Sequence, residues 1–111
     1  MVKLKVKVYS SIKERALGLI GHKKATPAMF FTRFGIHTLG LKFPIDVVVL
    51  DKNNRVVKLV ENLRPNNFFI WPFKYNRVLE LPSGYIKRFK IRKEEEIKLE
   101  KLVDTSVLVS Q

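Results

Sequence analysis

The sequence lacks cysteine altogether. This absence excludes disulfide bonds, thiolate zinc sites and a cysteine nucleophile. Long apolar runs are also missing, because the longest mostly apolar segments, IDVVVL and FFIWPF, are far shorter than the roughly 20 residues that span a bilayer. The first residues, MVKLKVKVYSS, do not contain the apolar stretch of a signal peptide. Together these features predict a soluble, cytoplasmic protein without a membrane span.

Signature motifs of enzymes and of metal sites are absent from the sequence. It contains no glycine-rich phosphate loop, no HExxH motif and no GxSxG motif, and each of these supplies residues at a spacing that its chemistry requires. The two histidines, His22 and His37, are not spaced as ligands of one metal ion. The sequence therefore predicts no cofactor and no metal site, and it gives an enzymatic function little support.

Acidic residues are scarce relative to basic ones. The 111 residues include 22 Lys and Arg but 10 Asp and Glu, so the formal net charge is +12. Such an excess favours binding to a polyanion, such as nucleic acid, or to an anionic membrane surface. A lysine-rich surface can equally serve solubility or heat tolerance. The basic residues are spread along the whole chain, so both interpretations stay open.

Length and apolar content predict a single domain over residues 1–111. Domains most often contain about 100–150 residues, and 46% hydrophobic residues argue against disorder. The segment from Val2 to Val8 alternates apolar residues with lysines, which indicates a half-buried strand. The next segment, SSIKERALGLIG, predicts a helix, because Ser11 and Glu14 form a capping box and Gly21 can end it.

The remaining chain consists mainly of strand-like segments. In order they are AMFFTRF, IHTLGLKF, IDVVVLD, RVVKLVENL, YNRVLEL and EIKLEKL. The turn residues DKNN predict an antiparallel hairpin between IDVVVLD and RVVKLVENL, and PSGYIKRF predicts a helical turn. The predicted fold class is α+β and β-rich: one compact domain with a mainly antiparallel, barrel-like sheet, one helix in the N-terminal half and a short helical turn near the C-terminus.

Three polar residues interrupt apolar runs and are candidate site residues. Asp46 opens the most hydrophobic segment, where an unpaired carboxylate would be costly. It is therefore either a site carboxylate or a residue that fixes a turn by accepting main-chain N–H groups. Glu80 lies between two leucines and raises the same question, with Arg15, Lys42 and Arg77 as candidate partners. His37 is either a satisfied core histidine or a group that titrates near neutral pH.

The segments IHTLGLKFPIDVVVLDKNNRVVKLVENLRP and RVLELPSG carry a family resemblance. Their order and spacing are similar to those of domain-of-unknown-function family 192 (DUF192), a family of small prokaryotic proteins. The matching positions are Arg15, Gly18, Leu19, His37, Thr38, Phe43, Pro44, Ile45, Asp46, Asp51, Arg55, Glu61, Asn62, Pro65, Glu80, Leu81, Pro82 and Gly84. The resemblance extends from about residue 14 to residue 97. It implies a compact, β-rich fold with helical segments and implies no established activity.

The sequence departs from the family pattern at a few positions. Leu41 stands where the family usually has methionine, and Lys42 where it often has arginine. If that arginine recognises an anion through two parallel hydrogen bonds, Lys42 would do so more weakly. Glu95 and Glu96 replace a Gly-Asp pair, which predicts a differently shaped final turn.

The segment NNFFIWPFKYNR concentrates aromatic residues between two strand-like segments. Phe68, Phe69, Trp71 and Phe73 can form a hydrophobic plug that needs no partner or a surface for a protein partner or for self-association. They can also stack on unpaired bases beside basic residues or cover a small-molecule pocket. The plug is the favoured interpretation. It predicts that at least two of these rings are largely buried and that the Trp71 indole N–H finds an acceptor.

These observations favour a non-enzymatic binding or interaction domain. The predicted polar site consists of His37, Thr38, Lys42, Asp46 and Glu80, with Arg15 as a further candidate and the aromatic segment at its border. Single-stranded nucleic-acid binding through the basic, aromatic-bearing surface is the alternative function. An enzyme comes third, because it would require His37 and a carboxylate to converge in a cleft.

Overall fold

The computed structural model describes residues 2–9 and 27–101. These residues form eight strands and one short helix. Their bounds are β1 (Val2–Tyr9), β2 (Ala28–Phe31), β3 (Gly35–His37), β4 (Ile45–Leu50), β5 (Val56–Leu63), β6 (Phe68–Ile70), β7 (Arg77–Pro82), α1 (Tyr85–Arg88) and β8 (Ile97–Lys101). No helix among them is long and apolar enough to cross a membrane.

Six strands form one sheet in the order β5-β4-β7-β2-β1-β8. Most neighbours are antiparallel, whereas β1 runs parallel to both β2 and β8. The sheet curls, and main-chain hydrogen bonds join its two edges at one end: the Val56 N–H donates to the Glu95 carbonyl at 3.0 Å, and the Ile97 N–H donates to the Asn54 carbonyl at 2.9 Å. The result is a curled half-barrel, which confirms the predicted compact, β-rich domain.

The predicted hairpin between β4 and β5 is confirmed. Val48 lies opposite Leu59 in an antiparallel pairing. The turn is closed by Asp51, whose Oδ1 accepts the N–H groups of Asn53 and Arg55 at 2.8 and 3.0 Å. This is the local chemistry that favours aspartate at the start of a turn.

The sheet separates two hydrophobic cores. The first, which we call the aromatic core, contains Tyr9, Ala28, Phe30, Ile36, Leu41, Phe43, Ile45, Val47, Val49, Trp71 and Val78. The second, the aliphatic core, contains Val2, Leu4, Val6, Val48, Leu50, Val56, Leu79, Leu81, Ile86, Ile91 and Ile97. Adjacent residues of β4 and β7 belong to different cores because successive side chains of a strand point to opposite faces.

Helix is nearly absent from the described residues, so the α+β description overstates the helical content. The predicted turn PSGYIKRF forms α1, which lasts one turn because Lys90 adopts a left-handed conformation with φ of 53°. The chain then reverses and places Ile86 and Ile91 together in the aliphatic core. The helix predicted for SSIKERALGLIG lies outside the described residues.

The segment IHTLGLKF was predicted as a continuous strand, and this is wrong beyond His37. The strand β3 ends there, and the following residues form a turn in which the Leu41 N–H donates to the Thr38 carbonyl at 3.2 Å. Gly40 supports this turn with a φ of 86°, a conformation that costs glycine little.

A two-stranded ribbon of β3 and β6 lies beside the main sheet. Gly35 lies opposite Ile70, and His37 lies opposite Phe68. The ribbon is anchored by Thr38, a buried residue whose Oγ1 donates to the Arg64 carbonyl at 2.7 Å and accepts the Asn67 N–H at 2.9 Å. Both bonds hold the connection between β5 and β6 against the end of β3.

Gly35 allows the two ribbon strands to approach closely. A Cβ atom at this position would lie 2.5 Å from the Phe69 carbonyl oxygen and 3.0 Å from the Ile70 Cα. We therefore expect Gly35→Ala to push the strands apart and to lower the free energy of unfolding by about 1–3 kcal/mol, measured by urea denaturation.

Gly84→Ala is the matched control for this prediction. Gly84 has open space around its Cα but a φ of +98°, so alanine there should cost about 1 kcal/mol through backbone strain alone. Amide chemical shifts at β6 should change in Gly35→Ala and not in Gly84→Ala. Unchanged β6 shifts in both variants would contradict the steric explanation.

Candidate functional site

An apolar cleft opens at the β3–β6 ribbon. Its cavity measures about 250 Å³ and is lined by Phe30, Phe34, Gly35, Ile36, His37, Phe68 and Ile70. We call this site the aromatic cleft. Large apolar side chains lie exposed on its lining, with 64% of Phe34, 71% of Phe68 and 68% of Ile70 accessible to solvent.

The alternation of β6 builds the exposed side of the cleft. Phe68 and Ile70 point outward, whereas Phe69 between them packs against the aromatic core and Trp71 lies within it. Residues directly opposite one another in an antiparallel pair project to the same face, so His37 joins Phe68 on the cleft side. The His37 and Phe68 rings are 6.4 Å apart in an edge-on arrangement.

A second pair of rings extends this surface. The Phe34 and Phe73 centroids are 4.6 Å apart with their planes tilted by 41°, and 55% of Phe73 is exposed. The guanidinium group of Arg33 lies 5.0 Å from the Phe73 centroid and donates to the Phe73 carbonyl at 2.8 Å. An arginine therefore lies against the ring next to the cleft.

Lys58 provides another cation, next to the cleft residue Ile70. Its Nζ donates to the Ile70 carbonyl at 2.7 Å and lies 5.0 Å from the Phe69 ring centroid. Within the part of the chain that the structure describes, neither Lys58 nor Arg33 forms an ion pair with a carboxylate. Their positive charges are held in place by neutral carbonyl groups.

The polar residues predicted as one site are not brought together. His37 lines the cleft, and its Nδ1 accepts the Leu39 N–H at 3.3 Å. Thr38 is buried in the ribbon anchor, and Lys42 is exposed outside the cleft lining. Arg15 lies outside the described residues.

Asp46 and Glu80 are both fully buried, but they face opposite sides of the sheet. Asp46 lies opposite Leu81, a residue of the aliphatic core. Glu80 lies opposite Ala28 on one neighbouring strand and Val47 on the other, and both belong to the aromatic core. The two carboxylates therefore cannot act as a pair.

Asp46 has the contacts of a residue that fixes turns. Its Oδ1 accepts the Asn62 N–H at 2.8 Å, and its Oδ2 accepts the N–H groups of Gly84 and Ile86 at 3.1 and 2.9 Å. The carboxylate thus joins the segments FPID, ENL and PSG through main-chain hydrogen bonds. Beside it lies a polar depression of about 350 Å³, where the Ser83 hydroxyl donates to Asn62 Oδ1 at 2.8 Å.

The four aromatic residues singled out from the sequence divide into two pairs. Trp71 is buried, and its indole N–H donates to the Tyr75 carbonyl at 2.9 Å, which confirms the predicted acceptor. Phe69 is half-buried against the aromatic core. Phe68 and Phe73 are exposed, so the plug interpretation is wrong for these two rings. Trp71 within the aromatic core and Phe69 packed against it are the two rings that the plug interpretation describes.

Several cleft residues were missed from the sequence. Phe34, Gly35 and Ile70 belong to the site, although no motif marks them. The signal that could have found Ile70 is the period-two alternation of FFIW, which places Phe68 and Ile70 on one side. No group of three or more His, Asp and Glu residues that could hold a metal ion occurs within residues 2–9 and 27–101.

Comparison with known proteins places the chain in a family. The model of DUF192, described as "Uncharacterized ACR", matches residues 1–99. No curated protein matches the sequence.

Two solved structures share the fold. A protein of unknown function from Novosphingobium aromaticivorans is 17% identical, with a TM-score of 0.69 over 80% of this chain and 70% of that chain. A Sinorhizobium meliloti protein described as a "putative transcription regulator" is 18% identical, with a TM-score of 0.68 over 82% of this chain and 78% of that chain. At this identity the similarity establishes the fold and assigns no function. The family match covers most of the sequence and confirms the resemblance carried by its motifs, and the chain therefore belongs to the DUF192 family.

Proposed function

We propose that the protein is a non-enzymatic binding domain and that its ligand occupies the aromatic cleft. The observation that carries this proposal is the cavity of about 250 Å³ with exposed Phe34, Phe68 and Ile70 on its lining. Exposed apolar side chains gathered at one place usually mark an interaction site. A concave apolar site with few polar groups is also the usual form of a ligand pocket.

The positions of the ionisable groups favour binding over catalysis. A general base must lie within hydrogen-bond reach of the proton that it removes. Both oxygens of Asp46 are already engaged by main-chain N–H groups, and Glu80 is fully buried and is not among the residues that line the cleft. His37 is the one histidine among the residues that line the cleft.

His37 is the member of the predicted polar site that belongs to this proposal. In the aromatic cleft it offers a polar group beside apolar rings, which would orient a ligand with a hydrogen-bonding edge. Ligand contacts by Thr38, Lys42, Asp46 and Glu80 stay a prediction from the sequence. Thr38 and Asp46 support the site indirectly, because they hold the turns around the ribbon and β4.

The proposal is tested with a fluorescent aromatic anion, anilinonaphthalene sulfonate, followed by emission and by amide chemical shifts. We expect saturable binding to the native protein, with shifts centred on Gly35, His37, Phe68 and Ile70. Phe68→Ala should weaken the affinity at least about 5-fold, the lower value for loss of one stacked ring.

Phe31→Ala is the matched control, because Phe31 is 42% exposed and does not line the cleft. This variant should bind the probe as the unmodified protein does. Equal affinities of the Phe68→Ala variant and the unmodified protein, or shifts centred outside the cleft, would show that the cleft is not the binding site.

A further inference from the structure

We infer that the ligand of the aromatic cleft is a single strand of nucleic acid, bound by stacking of unpaired bases on the cleft rings and by phosphate contacts to the cations beside them. This inference rests on the proposed binding function and names its ligand class.

Three aromatic rings are accessible at the cleft or next to it. Phe34, Phe68 and Phe73 are each more than half exposed, and they lie on or next to the cleft. Bases stack on such rings with little regard to sequence, because every base has a flat π-face. The cavity of about 250 Å³ is smaller than the roughly 300–1,000 Å³ of pockets for drug-sized ligands, so it suits one flat group. Phe73 then offers a platform for a neighbouring base.

Cations lie beside these rings. Arg33 is held against the Phe73 ring by a hydrogen bond to the Phe73 carbonyl, and Lys58 is held next to the cleft residue Ile70 by a hydrogen bond to its carbonyl. Among the described residues neither of these two cations forms an ion pair. Cations beside exposed rings are the combination that single-stranded nucleic acid requires, since phosphates follow every base.

The same features disfavour two other partners. The cores of protein interfaces are depleted in lysine, whereas Lys58 donates to the carbonyl of the cleft residue Ile70. Membrane-surface anchors of this kind are amphipathic helices, whereas Phe68 and Ile70 lie on a two-stranded ribbon here. The net charge of +12 would attract nucleic acid and an anionic membrane surface alike, so it does not distinguish these two partners.

The test measures fluorescence anisotropy of a labelled oligodeoxythymidine of about 12 nucleotides, within the roughly 4–16 nucleotides that comparable sites occupy. Phe34→Ala and Phe68→Ala should each weaken binding about 5- to 150-fold, which corresponds to the loss of one stacked base. Arg33→Gln should lower the slope of log affinity against log salt by about 0.7, the value for one phosphate contact to a single strand. The slope is measured between about 50 and about 200 mM salt.

Two control variants match these changes away from the cleft. Phe31→Ala removes an exposed ring that does not line the cavity. Arg88→Gln removes an arginine that lies 5.3 Å from the Phe89 ring, much as Arg33 lies beside Phe73. Both controls should leave the oligonucleotide affinity within about 2-fold of the unmodified protein, since neither touches the stacked strand. All variants should retain the melting temperature of the unmodified protein.

Four results would overturn the inference. Equal losses in the cleft variants and the controls would mean diffuse charge attraction. Equal affinity for a duplex would exclude stacking, because paired bases present no free face. Cleft-dependent binding to vesicles of phosphatidylserine and phosphatidylcholine, without cleft-dependent oligonucleotide binding, would identify a membrane surface. Absent oligonucleotide binding with intact probe binding would reject nucleic acid and leave the proposed binding function standing.

Discussion

Replacing Asp46 with alanine is expected to lower the free energy of unfolding by about 3–5 kcal/mol. The change removes the acceptor of three main-chain N–H groups, those of Asn62, Gly84 and Ile86. The bond to the Ile86 N–H is buried, whereas those to Asn62 and Gly84 are part-buried. A buried donor without a partner costs about 1–3 kcal/mol, and the two part-buried donors add to the loss of the Ile86 bond. The loss is measured by urea denaturation, and the m-value should be the same as that of the unmodified protein.

Asp51→Ala is the matched control for this result. Asp51 also accepts two main-chain N–H groups, but these bonds lie at an exposed turn, where water can take over. Its loss should therefore cost about 1 kcal/mol or less. Asp46→Asn should fall between the two, because one amide oxygen remains while the NH₂ group faces a donor. A change of less than about 1 kcal/mol in Asp46→Ala would contradict the structural role.

Replacing Trp71 with alanine is expected to cost about 3–5 kcal/mol. The indole is 5% exposed within the aromatic core, 5.9 Å from the Phe69 ring. Its removal loses the transfer free energy of a large side chain and leaves a cavity that the core cannot fill. The Tyr75 carbonyl also loses its donor. Trp71→Phe should recover part of the loss, because it restores ring volume without the N–H.

Phe73→Ala is the matched control for Trp71→Ala, because it removes an exposed ring from the same segment. Phe73 is 55% exposed and contacts Phe34 and Arg33, so its truncation should cost only about 0.5–1 kcal/mol. Thermal unfolding of the two single variants gives the comparison directly. Similar losses in both would contradict the division of the aromatic segment into a buried and an exposed part.

The parts of the fold that the sequence predicted depend on local signals. The β4–β5 hairpin followed from two apolar runs around DKNN, and the structure confirms it through the acceptor role of Asp51. The strand β1 followed from strict alternation. The pairing partners of β1 could not be predicted from the sequence. Its parallel pairing with β2 and β8 depends on contacts between distant segments, and these leave no local pattern.

The candidate site was predictable only in part for the same reason. The burial of Asp46 followed from the cost of placing a carboxylate in an apolar strand. The donors that satisfy it come from Asn62, Gly84 and Ile86, which are distant in sequence. The division of the aromatic residues depends on the pairing of β6 with β3. Because a shift by one residue would exchange Phe68 and Phe69 between solvent and core, the exposed rings could not be assigned before the register was known.

The position of β1 between β2 and β8 has a consequence for the rate of folding. Val2 pairs with Ile97, and Lys7 pairs with Ala28, so neither side of β1 is joined to its neighbour by a tight turn. The entropy of closing these long loops is lost before the hydrogen bonds of the strand are gained. Domains dominated by such non-local pairings fold in milliseconds to seconds, orders of magnitude more slowly than helical bundles. The hairpin of β4 and β5, which closes locally, is therefore positioned to form first, and the strand nearest the start of the sequence is among the last to be secured.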